Sequence, residues 1–282
     1  MTTPVLLPTI AALRAQTRLW RDAGESIALV PTMGALHAGH MSLVQLAKQR
    51  AQRVVATIFV NPTQFAPNED FNKYPRTLEA DVARLAEAGA DAAFHPGAGD
   101  MYPDGFCTLV SLRGPATAGL EDRFRPTHFQ GVATVVAKLL LQAMPDVAIF
   151  GEKDFQQLAV IRQMSTDLNM PVQILGAPTV READGLAMSS RNVYLSDEER
   201  AVAPILICSM TKAAQRIHDG EAMEAALAPA RNKITGAGFE IDYLEVRDAT
   251  TLATVQGRYR PGLRMLIAAR LGRTRLIDNI EV

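Results

Sequence analysis

Two histidines stand three positions apart in the segment PTMGALHAGH, which spans residues 31–40. Residues at this spacing share one face of a helical turn, so His37 and His40 can donate hydrogen bonds to the same phosphate group. Gly34 and Gly39 remove side chains where a nucleotide needs close approach to the backbone. A lone histidine more often fills an ordinary surface or core position, but this pair between glycines indicates a phosphate-binding turn.

A second and a third polar segment each follow an apolar run. In FVNPTQF, residues 59–65, the proline stops the run and leaves Gln64 beyond it, where its amide can orient a hydroxyl or a carboxylate. In FGEKDFQQL, residues 150–158, Lys153 can meet a phosphate or a ribose, and Asp154 is a favourable helix N-cap. Taken separately, these segments are also compatible with a plain turn and with a surface lysine beside an ordinary cap.

The fourth segment is MSSRN, residues 188–192, in a polar connection that also carries the turn signal Asp184-Gly185. Its two hydroxyls and its guanidinium make a compact clamp for a triphosphate. The alternative is a flexible linker. Because ligand pockets favour junctions between domains, the position of this segment favours the clamp.

The apolar runs predict the elements that must position these four segments. Runs typical of strands lie at residues 26–32, 54–60, 91–96, 107–112, 146–150 and 172–178, and they alternate with helical patterns. Continuous apolar strands indicate a parallel sheet covered by helices on both faces. We therefore predict a Rossmann-like, doubly wound α/β domain over residues 1–180. The turns after its strands then meet at one edge of the sheet, where helix N-termini favour phosphate.

The pattern changes in the last third of the chain. Ser196 and Glu199 fit a capping box that starts a long helix towards His218, and a second helix is predicted over residues 221–234. Three alternating strands follow, IDYLEVRD, RMLIAARL and TRLIDNIEV. This order predicts a smaller α+β domain over residues 181–282, which we expect to cover the site. The last strand fits either the edge of that domain or a contact between subunits.

Composition excludes several classes of protein. The 282 residues carry 29 basic and 30 acidic side chains, so a general nucleic-acid or anionic-membrane binder is not expected. Cys107 and Cys208 lie far apart and indicate neither a disulfide framework nor a zinc site. No apolar stretch is long enough to span a membrane, and the N-terminal segment lacks the basic leader of a signal peptide. We therefore predict a cytoplasmic protein in a reducing compartment.

The HxGH arrangement at residues 37–40 resembles the signature of the nucleotidyltransferase superfamily, in which the α-phosphate of a nucleoside triphosphate is attacked. Together, PTMGALHAGH, FVNPTQF, FGEKDFQQL and READGLAMSSRN resemble, in this order, the pantoate–β-alanine ligase (pantothenate synthetase) family. The resemblance implies a Rossmann-like domain, a smaller C-terminal domain and a homodimer. It also implies that ATP and (R)-pantoate give pantoyl adenylate and pyrophosphate, with Mg²⁺ accompanying ATP. β-Alanine then attacks the activated carbonyl, giving pantothenate and AMP for coenzyme A synthesis.

The resemblance also assigns roles to individual residues. The catalytic groups would be His37, His40, Lys153 and Arg191, with His40 as the family's active-site residue. The implied ATP contacts are Met33, Gly34, Ala35, Leu36, His37, Ala38, Gly39, His40, Gly151, Glu152, Lys153, Asp154, Val180, Met188, Ser189, Ser190 and Arg191. Gln64 and Gln157 would bind pantoate, and Gln64 would also lie near β-alanine. The metal ligands stay unknown.

Polar residues outside these motifs give weaker indications. The irregular segment at residues 66–76 is predicted to close over the site as a lid, because an acyl adenylate must be kept from water. Asp70 and Asp81 could hold Mg²⁺, although we expect both to be solvated surface acids. Arg123 and Arg125 could approach the phosphates, but their spacing does not decide this.

Three other functions compete with the ligase. A plain nucleotidyltransferase would modify a phosphorylated acceptor and would need no amine substrate. An NAD-dependent dehydrogenase would need a GxGxxG turn after the first strand, and the GAG run at residues 97–99 lacks the third glycine. A non-catalytic nucleotide sensor would bind ATP without turnover, and the joint presence of two histidines, a lysine and an arginine argues against it.

Overall fold

The structure is a computed structural model that describes residues 3–65 and 70–282, and a parallel sheet of six strands dominates them. The strands are β1 (Val5–Leu7), β2 (Ile27–Val30), β3 (Arg53–Thr57), β4 (Ala92–Phe94), β5 (Val147–Gly151) and β6 (Gln173–Ala177). Their order is β1-β4-β3-β2-β5-β6. The chain builds outward from β2 through β3 to β4, and then returns to the other side of β2 to form β5. Ligands of open α/β sheets bind where the order reverses in this way.

Helices cover both faces of this sheet, which confirms the predicted doubly wound architecture. They are α1 (Ile10–Asp22), α2 (Ala38–Lys48), α3 (Leu78–Ala88), α4 (Ala98–Met101), α5 (Glu121–Phe124), α6 (His128–Ala143) and α7 (Phe155–Asp167). Successive residues of β2 enter two different cores. Leu29 shares one core with Val136 of α6, whereas Val30 shares the other with Val44 of α2. Strand β2 is therefore apolar along its whole length.

Two features of the larger sheet differ from the sequence prediction. The strand predicted over residues 107–112 is wrong, because this segment is irregular chain outside the sheet, with Leu109 57% exposed. Its Val110 donates its N–H to the hydroxyl of Thr134 (2.9 Å) and not to a neighbouring strand. Conversely, β1 pairs with β4 although the sequence pattern does not predict it. Strand β1 lies at the edge of the sheet, and two of its three residues, Val5 and Leu6, are exposed.

A smaller antiparallel sheet follows, as predicted. It consists of β7 (Phe239–Asp248), β8 (Leu263–Leu271) and β9 (Thr274–Glu281), with α8 (Asp197–Val202), α9 (Ile205–His218) and α10 (Met223–Gly236) preceding it. The prediction of one helix over residues 196–218 is wrong, because Pro204 lies between α8 and α9 and lacks the N–H of a continuous helix. The capping box is confirmed: Glu199 N donates to Ser196 Oγ (3.2 Å), and Ser196 N donates to Glu199 Oε2 (3.0 Å).

The two sheets fit the predicted division into a larger and a smaller domain. Strand β6 ends at Ala177, and the connection that follows it leads to α8 of the smaller domain. A boundary at residue 180 stays a prediction. None of the helices in the described ranges combines the length and the apolar character needed to cross a membrane.

Candidate active site

The turn between β2 and α2 is held by a buried carboxylate. Asp81 of α3 accepts the N–H of Ala35 (3.0 Å) on Oδ2 and the N–H of Leu36 (2.7 Å) on Oδ1, and its side chain is 0% exposed. Gly34 (φ +84°) and Ala35 (φ +49°) both adopt the left-handed backbone that these bonds support. The expectation that Asp81 is a solvated surface acid is therefore wrong. Both of its oxygens are committed to the turn, which leaves it poorly suited to hold Mg²⁺.

The two histidines of this turn cap α2 and thereby fix their own tautomers. His37 Nδ1 accepts the N–H of Gly39 (3.2 Å), and His40 Nδ1 accepts the N–H of His37 (3.3 Å). A neutral imidazole that accepts on Nδ1 must carry its proton on Nε2. The ring centroids lie 4.1 Å apart. The pair thus offers two Nε2–H donors side by side, at a helix N-terminus that already favours anions.

Both imidazoles are neutral at physiological pH. Burial lowers the pKa of His37 to about 4, and the charges of Lys153 and Arg84 act in the same direction. Burial likewise lowers the pKa of His40 to about 3, with further contributions from His37 and Lys153. Lys153 lines the same cavity as the two histidines. Lys153 therefore supplies the positive charge here, and the histidines supply neutral hydrogen bonds.

These groups line a cavity of about 700 Å³ between the edge of the larger sheet and the smaller domain. Its size is typical of a site for a small molecule. The predicted site residues on its wall are Met33, His37, Gly39, His40, Gln64, Gly151, Lys153, Asp154, Gln157, Val180, Met188, Ser189, Ser190 and Arg191. The structure thus brings together residues from all four sequence segments, at the point where the strand order reverses.

Five of the predicted ATP contacts lie off this wall. Leu36 is buried in the core, and Ala38 is exposed at the start of α2. Gly34 lines a smaller cavity behind the turn, and Ala35 donates its N–H away from the main cavity. The carboxylate of Glu152 faces an arginine of the smaller domain. These five residues belong to the turn between β2 and α2 and to the turn after β5. Any contact that they make with ATP would involve their backbone.

The side chain of Gln64 is oriented by its neighbours. Asn61 Nδ2 donates to Gln64 Oε1 (3.1 Å), and Gln64 Nε2 lies 3.1 Å from the sulfur of Met33. Asn61 is 1% exposed and also donates to the carbonyl of Gly131 in α6 (3.3 Å). Sequence reasoning missed both Asn61 and Gly131. A glycine in the first turn of a largely apolar helix was the available signal for a close contact.

The structure decides between the two arginines that the sequence left open. Arg125 lines the cavity and donates to the carbonyl of Gln64 (3.2 Å). His128 Nδ1 lies 3.0 Å from the same carbonyl, which can only accept. Arg123 instead points away from the cavity and forms an ion pair with Glu245 (3.5 Å). Arg125 thus helps to hold the backbone of Gln64 in place.

The MSSRN segment closes one side of the cavity. Ser189 Oγ accepts the N–H of Arg191 (3.2 Å), and the hydroxyl of Ser190 lies 3.4 Å from that of Tyr74. Tyr74 belongs to the predicted lid, of which residues 66–69 lie outside the described ranges. Its ring packs against Phe65 at a centroid distance of 6.0 Å. The described end of the lid segment therefore contacts the predicted triphosphate clamp.

The smaller domain supplies a further wall, formed by residues that the sequence did not single out. Strand β9 is the edge strand of its sheet, and its residues from Thr274 to Asn279 line the cavity. Arg275 donates to both oxygens of Glu121 (2.8 Å each), which ties the two domains together. Burial would raise the pKa of Glu121, but the hydrogen bonds and charge of Arg275 hold it below its usual value. The structure thus places β9 at the edge of the smaller sheet, which was one of the two positions considered for it.

The arrangement can bind and polarise phosphates but offers no covalent chemistry of its own. The wall includes the neutral Nε2–H donors of the two histidines, the ammonium of Lys153, the guanidinium of Arg191 and the side-chain amides of Gln64 and Gln157. Within the described ranges, no three His, Cys, Asp or Glu side chains come together as a metal site. Such a site suits a reaction in which one substrate attacks another and the protein stabilises charge.

Comparison with known proteins gives the same assignment over nearly the whole chain. A family model for pantoate–β-alanine ligase matches residues 5–281. The chain is 58% identical over 280 residues to pantothenate synthetase from Rhodopseudomonas palustris strain HaA2, covering 99% of both chains. Pantothenate synthetase from Paramagnetospirillum magneticum is 58% identical over 279 residues, covering 98% of this chain and 97% of that one.

Two solved structures share the fold. Pantothenate synthetase from Thermus thermophilus superposes with a TM-score of 0.92 at 46% identity, covering 98% of this chain and 99% of that one. Pantoate–β-alanine ligase from Francisella tularensis, complexed with beta-gamma ATP and β-alanine, superposes with a TM-score of 0.83 at 33% identity. The match covers 99% of this chain and 97% of that one. From the site and from these matches together, we conclude that the chain belongs to the pantoate–β-alanine ligase family.

Proposed function

We propose that this chain joins (R)-pantoate to β-alanine at the expense of ATP, through a pantoyl-adenylate intermediate. The observation that carries the proposal is the convergence of the histidine turn after β2 and the Lys153 turn after β5 on one cavity. Gln64 and Gln157 lie on the wall of the same cavity, where a hydroxy acid can be oriented beside the phosphates. The family assignment and the β-alanine complex of the Francisella relative support this reaction.

In the first half-reaction, a carboxylate oxygen of pantoate attacks the α-phosphorus of ATP. A new P–O bond forms, the bond between the α-phosphorus and the bridging oxygen breaks, and pyrophosphate leaves with the bonding pair. Negative charge builds on the phosphate oxygens in the transition state. The Nε2–H groups of His37 and His40 and the ammonium of Lys153 are placed to stabilise it. Arg191 would hold the departing pyrophosphate from the clamp segment.

In the second half-reaction, the neutral amine of β-alanine attacks the acyl carbonyl of the intermediate. The C–N bond forms, the acyl C–O bond to the phosphate breaks, AMP leaves, and the amine proton passes to solvent. The site must exclude water meanwhile, because the adenylate is easily hydrolysed. Contact between Tyr74 and Ser190 supports the lid proposed for residues 66–76. Gln64 is the residue proposed to face both acyl and amine substrates.

Mg²⁺ is proposed as a companion of the ATP substrate. The described ranges bring no three carboxylate, histidine or cysteine side chains together, and Asp81 uses both oxygens to hold the histidine turn. The residues that the structure describes therefore do not form a resident Mg²⁺ site. An ion bound by the phosphates themselves would enter and leave with ATP and pyrophosphate.

A homodimer and a cytoplasmic location complete the proposal. The family resemblance supports the dimer, and two free, exposed thiols, those of Cys107 and Cys208, fit a reducing compartment. Light scattering behind a sizing column should give twice the mass of 30.6 kDa. A peak at the monomer mass across micromolar concentrations would contradict the dimer.

The proposal is tested by isotope exchange between pyrophosphate and ATP, with Mg²⁺ and (R)-pantoate and without β-alanine. Exchange that depends on pantoate supports adenylation, and β-alanine should then release AMP. If AMP formation does not depend on β-alanine, the result would favour a plain nucleotidyltransferase. ATP binding without any exchange would favour the nucleotide sensor and overturn the ligase.

Removing one acceptor of the buried carboxylate should disturb the histidine turn. In Asp81→Asn one carboxylate oxygen becomes an amide donor, which would face the N–H of Ala35 or of Leu36. We expect the exchange rate to fall roughly 10- to 100-fold, the scale of a small misplacement of catalytic groups. Glu79→Gln, an exposed change on the same helix, is the matched control and should exchange like wild type. Equal rates in both variants would contradict the role of Asp81.

The low pKa values of the histidines predict how stability depends on pH. The folded values, about 4 for His37 and about 3 for His40, lie below the ordinary value of 6.5. Between these values the unfolded chain binds more protons, so stability falls as the pH drops below about 6.5. Thermal melting from pH 8 to pH 4 should show this slope, and His40→Gln should show less of it. A variant with the same slope would contradict the assignment of a neutral His40.

A further inference from the structure

The turn that carries Lys153 is held by a side chain of the other domain. Asn279, on β9, is 2% exposed and donates from Nδ2 to the carbonyls of Glu152 (2.9 Å) and Lys153 (2.9 Å). These carbonyls belong to a single turn of 3-10 helix between β5 and α7. One amide group therefore uses both of its N–H donors to fix the backbone on which the lysine stands.

The orientation of this amide is set by an arginine. Arg264 Nε donates to Asn279 Oδ1 (2.7 Å), and a guanidinium can only donate. The oxygen of the amide must therefore face Arg264, which directs the two N–H groups towards the turn. Arg264 is itself held by its ion pair with Glu152 (3.4 Å) and by its position over the ring of Phe155, 4.4 Å from the centroid.

The turn has little else to fix it. The last pair between β5 and β6 is Gly151 with Ala177, so the sheet ladder stops before Lys153. Neither Gly151 nor Asp154, which precede the two helical segments here, makes a side-chain capping bond. The sequence expectation that Asp154 caps the helix is correct for its position but not for a hydrogen bond. The two bonds from Asn279 thus hold this turn from outside, through its carbonyl groups.

We propose that Asn279, oriented by Arg264, is a positioning residue for Lys153 in the adenylation step, an inference that rests on the proposed function. Lys153 lines the same cavity as His37 and His40. A shift of its backbone would move the ammonium relative to the two Nε2–H donors. The smaller domain then has a direct part in the phosphate chemistry of the larger one.

Two substitutions separate donation from packing. Asn279→Asp keeps the size of the side chain and can pair with Arg264, but it presents oxygens to the two carbonyls. Asn279→Ala removes the group. We expect both variants to lower kcat for pantoate-dependent exchange roughly 10- to 100-fold. KM for β-alanine in the complete reaction should stay near the wild-type value. Glu240→Gln, an exposed change on β7 of the same sheet, should behave like wild type.

A double-mutant cycle with Lys153→Ala provides the decisive readout. If Asn279 acts through the lysine, Asn279→Ala should lower kcat less than about threefold in the Lys153→Ala background. Melting temperatures of all variants identify any that fail to fold, for which Asn279→Asp supplies the second test. An undiminished loss in the Lys153→Ala background, or wild-type exchange by Asn279→Asp, would overturn the positioning role. Absence of exchange in the wild-type protein would instead overturn the proposed function.

Discussion

His40→Ala should lower pantoate-dependent exchange between pyrophosphate and ATP by roughly 10²–10³-fold, the usual effect of losing one donor to a developing negative charge. The imidazole accepts from the N–H of His37 on Nδ1, so its only donor is Nε2–H, beside the equivalent donor of His37. Because the pKa of His40 is about 3, the loss should be the same at pH 6 and at pH 8.

A matched substitution distinguishes catalysis from capping. In His40→Asn the short amide can still accept the N–H of His37, whereas nothing reaches the position of Nε2. This variant should therefore melt close to wild type and still lose exchange as His40→Ala does. His218→Ala, which removes an exposed histidine at the end of α9, should change neither property. Full exchange by His40→Asn would show that His40 matters only as a cap.

The positions of the chemical groups along the sheet could be read from the sequence. Apolar runs predict β2 and β5, and the rule that parallel strands end at one edge places His40 and Lys153 together. The structure confirms that both line one cavity. This part succeeds because it depends only on the local period and on the direction of neighbouring strands.

Partners distant in the chain could not be read in this way. Asp81 supports the histidine turn from a helix that starts more than thirty residues later, and Asn279 supports the Lys153 turn from the last strand. Both are ordinary polar residues in amphipathic elements, so periodicity alone favours a solvated side chain for each. Only the tertiary arrangement shows that their polar atoms are buried and committed to backbone groups.

The segment at residues 107–112 illustrates the opposite error. Its apolar run is typical of a strand, but such a run reports only that part of the chain is covered. Here Val110 and Leu112 pack against the core while the backbone joins no ladder of the larger sheet. Strand β1 shows the reverse case, because it pairs with β4 although no strand was predicted there. Pairing depends on what lies beside a segment, and a local pattern does not contain that information.

Gly131→Ala should be among the most damaging single substitutions in the site, although alanine is the better helix former. A Cβ at this position of α6 would overlap the carbonyl oxygen of Thr63 and would lie 2.8 Å from the Cα of Gln64. Both contacts are with backbone, so no side-chain rotation can relieve them. Either the helix or the turn that carries Gln64 must move, and the bond from Asn61 to the carbonyl of Gly131 is disturbed with it.

Two opposed effects determine how much Gly131→Ala lowers the free energy of unfolding. In a helix without close neighbours, replacing glycine by alanine stabilises by about 1 kcal/mol. Overpacking at a contact this short costs about 1–3 kcal/mol, so the sign reverses. We expect a lower melting temperature and a KM for pantoate raised at least roughly tenfold, because Gln64 is displaced by a fraction of an ångström to about 1 Å. Steady-state kinetics with varied pantoate measures the second effect.

Gly236→Ala is the matched control, because this glycine ends α10 and a Cβ there would meet nothing within 4 Å. It should leave KM for pantoate unchanged and leave the melting temperature equal or slightly higher. If both alanine variants have the same KM for pantoate, the close approach of α6 to the Gln64 turn does not affect pantoate binding. If only Gly131→Ala loses pantoate affinity while it stays folded, then Gln64 binds pantoate from a turn whose position α6 determines.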